Sequence, residues 1–450
     1  IFGVNWVSYI FHSSIFNALI SVTTFIYLLK NGLNKEFCLF LSLSFSILAY
    51  PISGTPFIDQ HAVFFCLLGF YFFYFGLKIS LKYLFFIPIF FGLAFFSKPV
   101  PSAYLIFVFN FSFILYILIS KRLELIKYPL LGSVFFISVL VLILVIQKIN
   151  FEMFLTQLIY YPISIGGERF NSLSINFEKI ISNYKFILLP LIITLFLLKN
   201  SFLKIKKDFK IFNFLVFILF NFACIYHQLL TKNQNFIFFL IPINLGFLII
   251  FLEDKFKHKD TTKFKNLVII IFLFCIFITS KYHLRFNVER KFHDLQNISL
   301  ENTINAKKLN QSLAPLQWKT PNFEDPEQEI LMINTVLNEL QESKKNIMLM
   351  TNYNFISSIS SKKIYTISRT YDAISFPERK NTYYKKFETF LKNKIQKNDI
   401  QQIFILIPYR GNPKYSLERY VLEYFDPNCF EILDSNNYLT KINILNCASK

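Results

Sequence analysis

From its first residues to about residue 280 the chain alternates long stretches without a charged side chain with short polar connections rich in lysine, and beyond that point the pattern changes. Apolar runs of about 17 to 25 residues match the hydrocarbon thickness of a bilayer, and shorter ones can be accommodated by thinning or by buried ends. On that basis the sequence predicts ten membrane-spanning helices, over residues 8–29, 37–52, 61–77, 83–97, 103–120, 128–147, 184–198, 211–230, 235–252 and 266–280. Helices rather than a barrel follow because no two-residue alternation appears and a lipid-exposed backbone must satisfy its own hydrogen bonds.

After residue 280, helical and strand patterns replace continuous apolarity. Asp325 and Pro326 form an N-cap and first-turn pair before Ile330, Met332, Ile333, Val336, Leu337 and Leu340, which predicts a helix to about Lys344. IMLM (347–350), IYTIS (364–368) and IFILI (403–407) read as strands, 380–396 and 415–425 as helices, and the last stretch as a hairpin turning around Asp434 to Asn437. The expected fold class is therefore a polytopic α-helical membrane protein, residues 1–280, followed by an extracytoplasmic α/β domain, residues 281–450.

Composition excludes an ordinary soluble enzyme: 54% of the residues are hydrophobic and only 17% charged, where a soluble domain carries about a quarter. The 59 Phe among the 450 residues reflect nucleotide composition as readily as any physical demand. A formal net charge of +19 would suggest a nucleic-acid partner if the basic residues shared a face, but they cluster between the apolar runs. No nucleic-acid role is expected. One set of connections holds 17 Lys/Arg, from Lys30 and Lys35 to Lys255–Lys265, and the other holds six: Lys98, Lys148, Arg169, Lys179, Lys185 and Lys232. The positive-inside rule makes the first set cytoplasmic. That puts the loop around Asp59, the loop 148–183, the loop around Lys232 and everything after residue 280 outside, in a bacterial inner membrane with a periplasmic C-terminus.

Four acids of the first 280 residues fall on the outer side: Asp59, Glu152, Glu168 and Glu178. Asp59 lies in GTPFIDQH, at the entry of a span, with His61 two residues on and no basic residue in that loop. A carboxylate there is expensive without a partner and is a functional candidate; capping a helix that starts at His61 is the alternative. Lys98, in AFFSKPVPSAY, ends a span that breaks at Pro99 and Pro101, and can meet a phosphate as a point charge or simply snorkel. Arg169 follows two glycines in YYPISIGGERF and suits bidentate phosphate contact, or a pairing with Glu168. His227, Gln228, Lys232, Asn233 and Gln234 make a polar group between two strongly apolar helices. Asp59, His61 and His227 are the residues a divalent metal would use, though no dense ligand spacing appears. There is no Walker lysine, phosphate-binding glycine loop or G-x-S-x-G elbow. Cys38, Cys66, Cys224 and Cys275 fall in spans; Cys429 and Cys447 flank the hairpin in an oxidising compartment and are expected to form a disulfide.

The acid in GTPFIDQHAVFF before a span, GLAFFSKPVP at the end of the next, and TKNQNFIFFLIP entering a later one resemble the GT-C superfamily of membrane glycosyltransferases, in particular the protein mannosyltransferase and aminoarabinose transferase-like branch. The resemblance covers the architecture of about 280 residues. It implies transfer of a sugar from a polyprenyl-phosphate donor to a lipid, glycan or protein acceptor at the outer face, with outer-loop acids at the reacting centre, Asp59 and His61 as catalytic candidates, and Lys98, Arg169, His227 and Lys232 toward substrate and phosphate. Members begin with a span and a large outer loop carrying the principal acid. Here the first run reads from outside to inside and the chain begins with Ile1, so a preceding span and loop are expected, with Asp59 as the second-loop acid. A polysaccharide polymerase or ligase, or a flippase-like transporter of lipid-linked glycans, is the alternative. A transporter would be expected to carry charges inside its spans and repeated halves, and neither is seen. A non-catalytic glycan receptor is the third class.

Overall fold

The computed structural model describes residues 6–49, 58–163, 176–199, 208–231, 237–256, 260–289, 300–319, 323–368, 371, 377, 379–407, 423–436 and 438–445. By contacts the chain divides into two compact units. One comprises residues 10–149 and 166–296, and the other residues 150–165 and 297–450 with the first nine residues. The segment 150–165, which the sequence places in an outer loop of the helical domain, thus groups with the C-terminal unit.

Among the described residues of the first unit, ten helices lie on the ten apolar runs: α1 (Trp6–Lys30, whose first turn falls in the other grouping), α2 (Lys35–Ala49), α3 (Ile58–Lys78), α4 (Phe86–Ser97), α5 (Pro99–Ser120), α6 (Lys127–Ile146), α7 (Phe177–Leu198), α8 (Phe209–Thr231), α9 (Leu240–Phe256) and α10 (Thr261–His283). Eight are long and apolar enough to cross a membrane, whereas α2 and the stretch Leu81–Ser97 that contains α4 are shorter. The unit is therefore built as a membrane-embedded helical protein. Helix α7 starts several residues before the apolar run, because no Pro or Gly stands between Phe177 and Tyr184 to prevent it. At the opposite extreme, α4 and α5 are separate helices. Lys98 between them is extended (φ −157°, ψ 119°) and Val100 is non-helical, as expected for residues that precede Pro99 and Pro101.

The core is aromatic, with Phe64, Phe70, Tyr71, Phe73, Phe214 and Phe217 all buried. Several polar groups inside it pair across helices, which offsets the cost of burying them in a low-dielectric interior. Asn221 and Asn244 exchange side-chain amide hydrogen bonds, the better of them 3.0 Å, joining α8 to α9. Near the Lys30 end, the Asn213 amide donates to the Tyr27 hydroxyl at 2.6 Å.

The C-terminal unit is an α/β fold. Its five-stranded mixed sheet has the order β4-β3-β5-β7-β6: β3 (Ile347–Thr351) is parallel to β4 (Ile364–Tyr365) and β5 (Gln402–Leu406), and β7 (Leu439–Ile444) is antiparallel to β5 and β6 (Phe430–Ser435). The two-residue period of strands sends Ile347, Leu349, Phe404 and Leu406 to the face covered by α11 (Pro326–Glu342), through Ile333, Val336 and Leu340. Met348, Met350, Ile403 and Ile405 face Leu391 and Ile395 of α12 (Tyr384–Lys397). A two-stranded ribbon, β1 (Ile304–Asn305) and β2 (Gln317–Trp318), precedes α11.

Asp325 caps α11 by accepting from the Glu327 N–H at 2.9 Å, with Pro326 in the first turn. Helix α12 begins at Tyr384, not at residue 380, because Asn381 accepts from the Tyr383 N–H and forms a turn first. Of the helix expected over 415–425, residues 415–422 lie outside the described residues and 423–425 form a turn and bend. The hairpin turn is held by the Asn436 carboxamide, which accepts from the Tyr438 and Leu439 N–H groups, and its register shifts between Ile432 and Asp434. Cys429 is disulfide-bonded; Cys447 lies outside the described residues.

Candidate functional site

Three places meet at one end of the bundle, the start of α3, the junction of α4 with α5 and the last turns of α8, and each contributes a side chain that the sequence singles out. Helix α3 starts at Ile58, so Asp59 sits inside its first turn instead of capping from outside it. Its carboxylate is turned to the Lys98 ammonium, which donates to Oδ2 at 2.8 Å. On the other side the Nε2 atom of His227 stands 3.9 Å from Asp59 Oδ1. The side chain of His227 is 2% exposed, that of Asp59 14% and that of Lys98 34%, so the acid is largely withdrawn from water while the lysine reaches it.

The local sequence accounts for this geometry. Pro99 forces Lys98 out of helical conformation, and the extended residue leaves its side chain free to cross to α3. Gln60, beside Asp59, is buried and donates to the Ala49 carbonyl at 2.5 Å, tying the start of α3 to the end of α2. Gln228, beside His227, accepts from the Tyr184 hydroxyl at 2.7 Å and fixes the end of α8 to α7. The chain neighbours of Asp59 and His227 thus act as interhelical struts.

His61 is not part of this group. It is buried on the side of α3 that meets α1, edge-on to Phe16 with ring centroids 4.4 Å apart and 4.8 Å from the ring of His12. The set Asp59, His61 and His227 consequently does not fit a metal: the carboxylate is occupied by an ammonium and one imidazole faces another helix. Among the described residues no three His, Cys, Asp or Glu side chains gather closely enough to hold an ion.

The other outer acids fall elsewhere. Glu152 pairs with Lys386 at 3.0 Å in the C-terminal unit, and Glu178 is exposed in the first turn of α7. Arg169, Glu168, Lys232, Asn233 and Gln234 lie outside the described residues. Further along the bundle, α3, α4, α5 and α8 pack around Cys66, Phe70, Phe91, Leu105, Phe109 and Phe220 with no room left for a water molecule. Sequence reasoning missed Tyr184, Gln60 and His12. A phenol or amide in an apolar run carries no signal of its own until the tertiary partner is known, whereas His12, an imidazole inside the first span, was open to notice.

Chemically, the arrangement offers one carboxylate, one ammonium and one imidazole at one end of an apolar bundle. No protein-family model matches the chain, and no characterised protein matches it.

Proposed function

We propose that the chain is a membrane glycosyltransferase that moves a sugar, with inversion, from a polyprenyl-phosphate donor to a lipid, glycan or protein hydroxyl at the outer face of a bacterial inner membrane. The observation that carries this reading is the gathering of Lys98 and His227, from separate stretches of sequence, at 2.8 Å and 3.9 Å from the two carboxylate oxygens of Asp59 at one end of an apolar helical bundle. A charged group at the end of an apolar helical bundle suits a substrate with an anionic head and a hydrocarbon tail.

In the reaction the acceptor oxygen attacks the anomeric carbon, a carbon–oxygen bond forms, and the bond from that carbon to the phosphate oxygen breaks with its electron pair leaving on phosphate. The acceptor proton needs a base within hydrogen-bond reach, and the departing phosphate needs cations. Asp59 answers the first need by receiving or orienting the acceptor hydroxyl, and Lys98 the second, with Arg169 and Lys232 as further phosphate contacts. Phospholipids surround the bundle.

The test is a transfer assay on the chain in nanodiscs with a panel of polyprenyl-phosphate sugars and membrane-extracted acceptors. Sugar transfer by the native chain, lost at least a hundredfold in Asp59→Asn and Lys98→Gln at unchanged expression, is expected. Full turnover in the Asp59→Asn variant would remove the cluster from the mechanism.

A further inference from the structure

Beyond residue 280 the chain is nearly neutral except in one place. Of the 24 Lys/Arg and 18 Asp/Glu in residues 281–450, the stretch 379–397 holds seven Lys/Arg and a single acid, Glu388, so the remainder carries 17 of each. Most of that stretch is α12. Its Leu391 and Ile395 pack against the sheet, and the helical period of 3.6 residues gathers Lys385, Lys386, Lys392 and Lys397 on the opposite side, all four exposed. The residues between them on that side are uncharged. Glu388 stands at the margin of the face and is shared by Lys385 at 3.4 Å and Lys392 at 3.1 Å; exposed pairs of this kind hold weakly.

A second observation says what this face meets. Residues 150–163 belong to the same compact unit and are joined to the start of α12. Glu152 pairs with Lys386 at 3.0 Å, and the Tyr160 ring lies parallel to that of Tyr383 with centroids 6.4 Å apart. The same segment follows directly on α6, whose stretch Leu123–Ile146 is long and apolar enough to cross a membrane. Glu152 is the sixth residue after Ile146, and at no more than about 3.5 Å per residue it stands within about 21 Å of the end of that helix, with Lys386 against it. Phe151, 59% exposed beside the ion pair, is a ring of the kind that enters the boundary between headgroups and acyl chains. We propose that the lysine face of α12 docks on anionic phospholipid headgroups at the membrane surface where α6 ends. Ammonium groups on flexible stems meet phosphates as point charges, with no fixed geometry to satisfy. Docking of this kind is independent of sugar transfer at Asp59.

The test uses the full chain in nanodiscs, with a fluorophore on the cysteine of Asn393→Cys, in the middle of the face, and a nitroxide on the lipid headgroups to quench it. The unsubstituted chain taken through the same labelling supplies the background. Asn338→Cys, at an exposed position of α11 on the other side of the sheet, is the control. In phosphatidylcholine doped with phosphatidylglycerol, quenching at the Asn393 position should be strong; it should be weak in phosphatidylcholine alone and lost in about 1 M salt, where the screening length falls to about 3 Å. The control position should stay unquenched throughout. Each lysine near an anionic surface favours docking by about fivefold, so Lys385→Gln, Lys392→Gln and Lys397→Gln combined should weaken it by about a hundredfold, while arginine at the same three positions keeps it. Lys386 is left in place to preserve its pair with Glu152. Equal quenching in the two lipid compositions, or docking that survives the triple glutamine variant, overturns the proposal. So does the absence of quenching with either lipid; if dextran sulfate then binds the chain and is lost with the same three substitutions, the face belongs to an acidic polymer instead.

Discussion

Asp59 and Lys98 meet across 39 positions of sequence because each is held at a helix boundary, one in the first turn of α3 and the other in the break that Pro99 imposes. The sequence made both residues legible, since an acid and a lysine bordering apolar runs need partners. It did not show that they are each other's partners, because pairing is a property of how α3 packs on α4 and α5. This has a measurable consequence for stability. Removing only the lysine strands a carboxylate whose side chain is 14% exposed, and for a pair between surface and core the loss should be about 1–3 kcal/mol. Removing both charges relieves most of that. Lys98→Gln should therefore lower the unfolding midpoint in nanodiscs, and Asp59→Asn combined with Lys98→Gln should recover it while remaining inactive. A double variant that regains transfer together with stability would make the pair a structural tie and nothing more.

At the scale of elements, apolar run length located all ten helices but misjudged their ends, since helices continue into polar flanks until a proline, glycine or competing side chain stops them. Helix α10 accordingly runs to His283 and α7 begins at Phe177, while Asn381 delays α12. The contacts that fix which helices are neighbours were not legible at all. The Asn221–Asn244 amide pair is one example, and Gly132 of α6 is another. A Cβ at Gly132 would come within 2.0 Å of the backbone carbonyl oxygen of Phe85, at the foot of α4, so the absent side chain lets two backbones close, as small residues do between membrane helices. Backbone cannot step aside as a side chain can. Gly132→Ala is expected to cost about 1–3 kcal/mol by overpacking. Gly92→Ala, whose added Cβ would meet the Phe136 ring, should cost less because that ring can turn. Thermal unfolding of the two variants side by side decides it, and equal midpoints would show that α6 shifts freely.

For the whole molecule, the passage from long apolar helices to mixed helices and strands shows in the change of pattern near residue 280, while the contact units divide at residues 296 and 297. The attachment of residues 150–165 to the second unit does not show there, because the Glu152–Lys386 ion pair and the stacking of Tyr160 on Tyr383 link segments more than 200 residues apart. What defines the first unit physically is the apolar surface it leaves uncovered. On α6, Leu130, Val134, Ile137, Val141 and Val145 are between 47% and 68% exposed, and their spacing of three and four residues makes one continuous face. In water such a face is a liability; in lipid it is solvated. The two environments predict opposite outcomes for one substitution at Ile137, which is 56% exposed near the middle of the helix. On a water-facing surface, Ile137→Arg would change stability by no more than about 0.5 kcal/mol. At the centre of a bilayer an arginine costs about 2.5–3.5 kcal/mol on insertion scales, and more than that if it cannot snorkel. Membrane insertion of Ile137→Arg should therefore drop steeply while Ile137→Leu matches the native chain, as read by glycosylation-tag or protease-protection assays. Equal insertion of the arginine variant would mean that this face of α6 is turned away from lipid, and the exposed row along it would then need a protein partner to cover it.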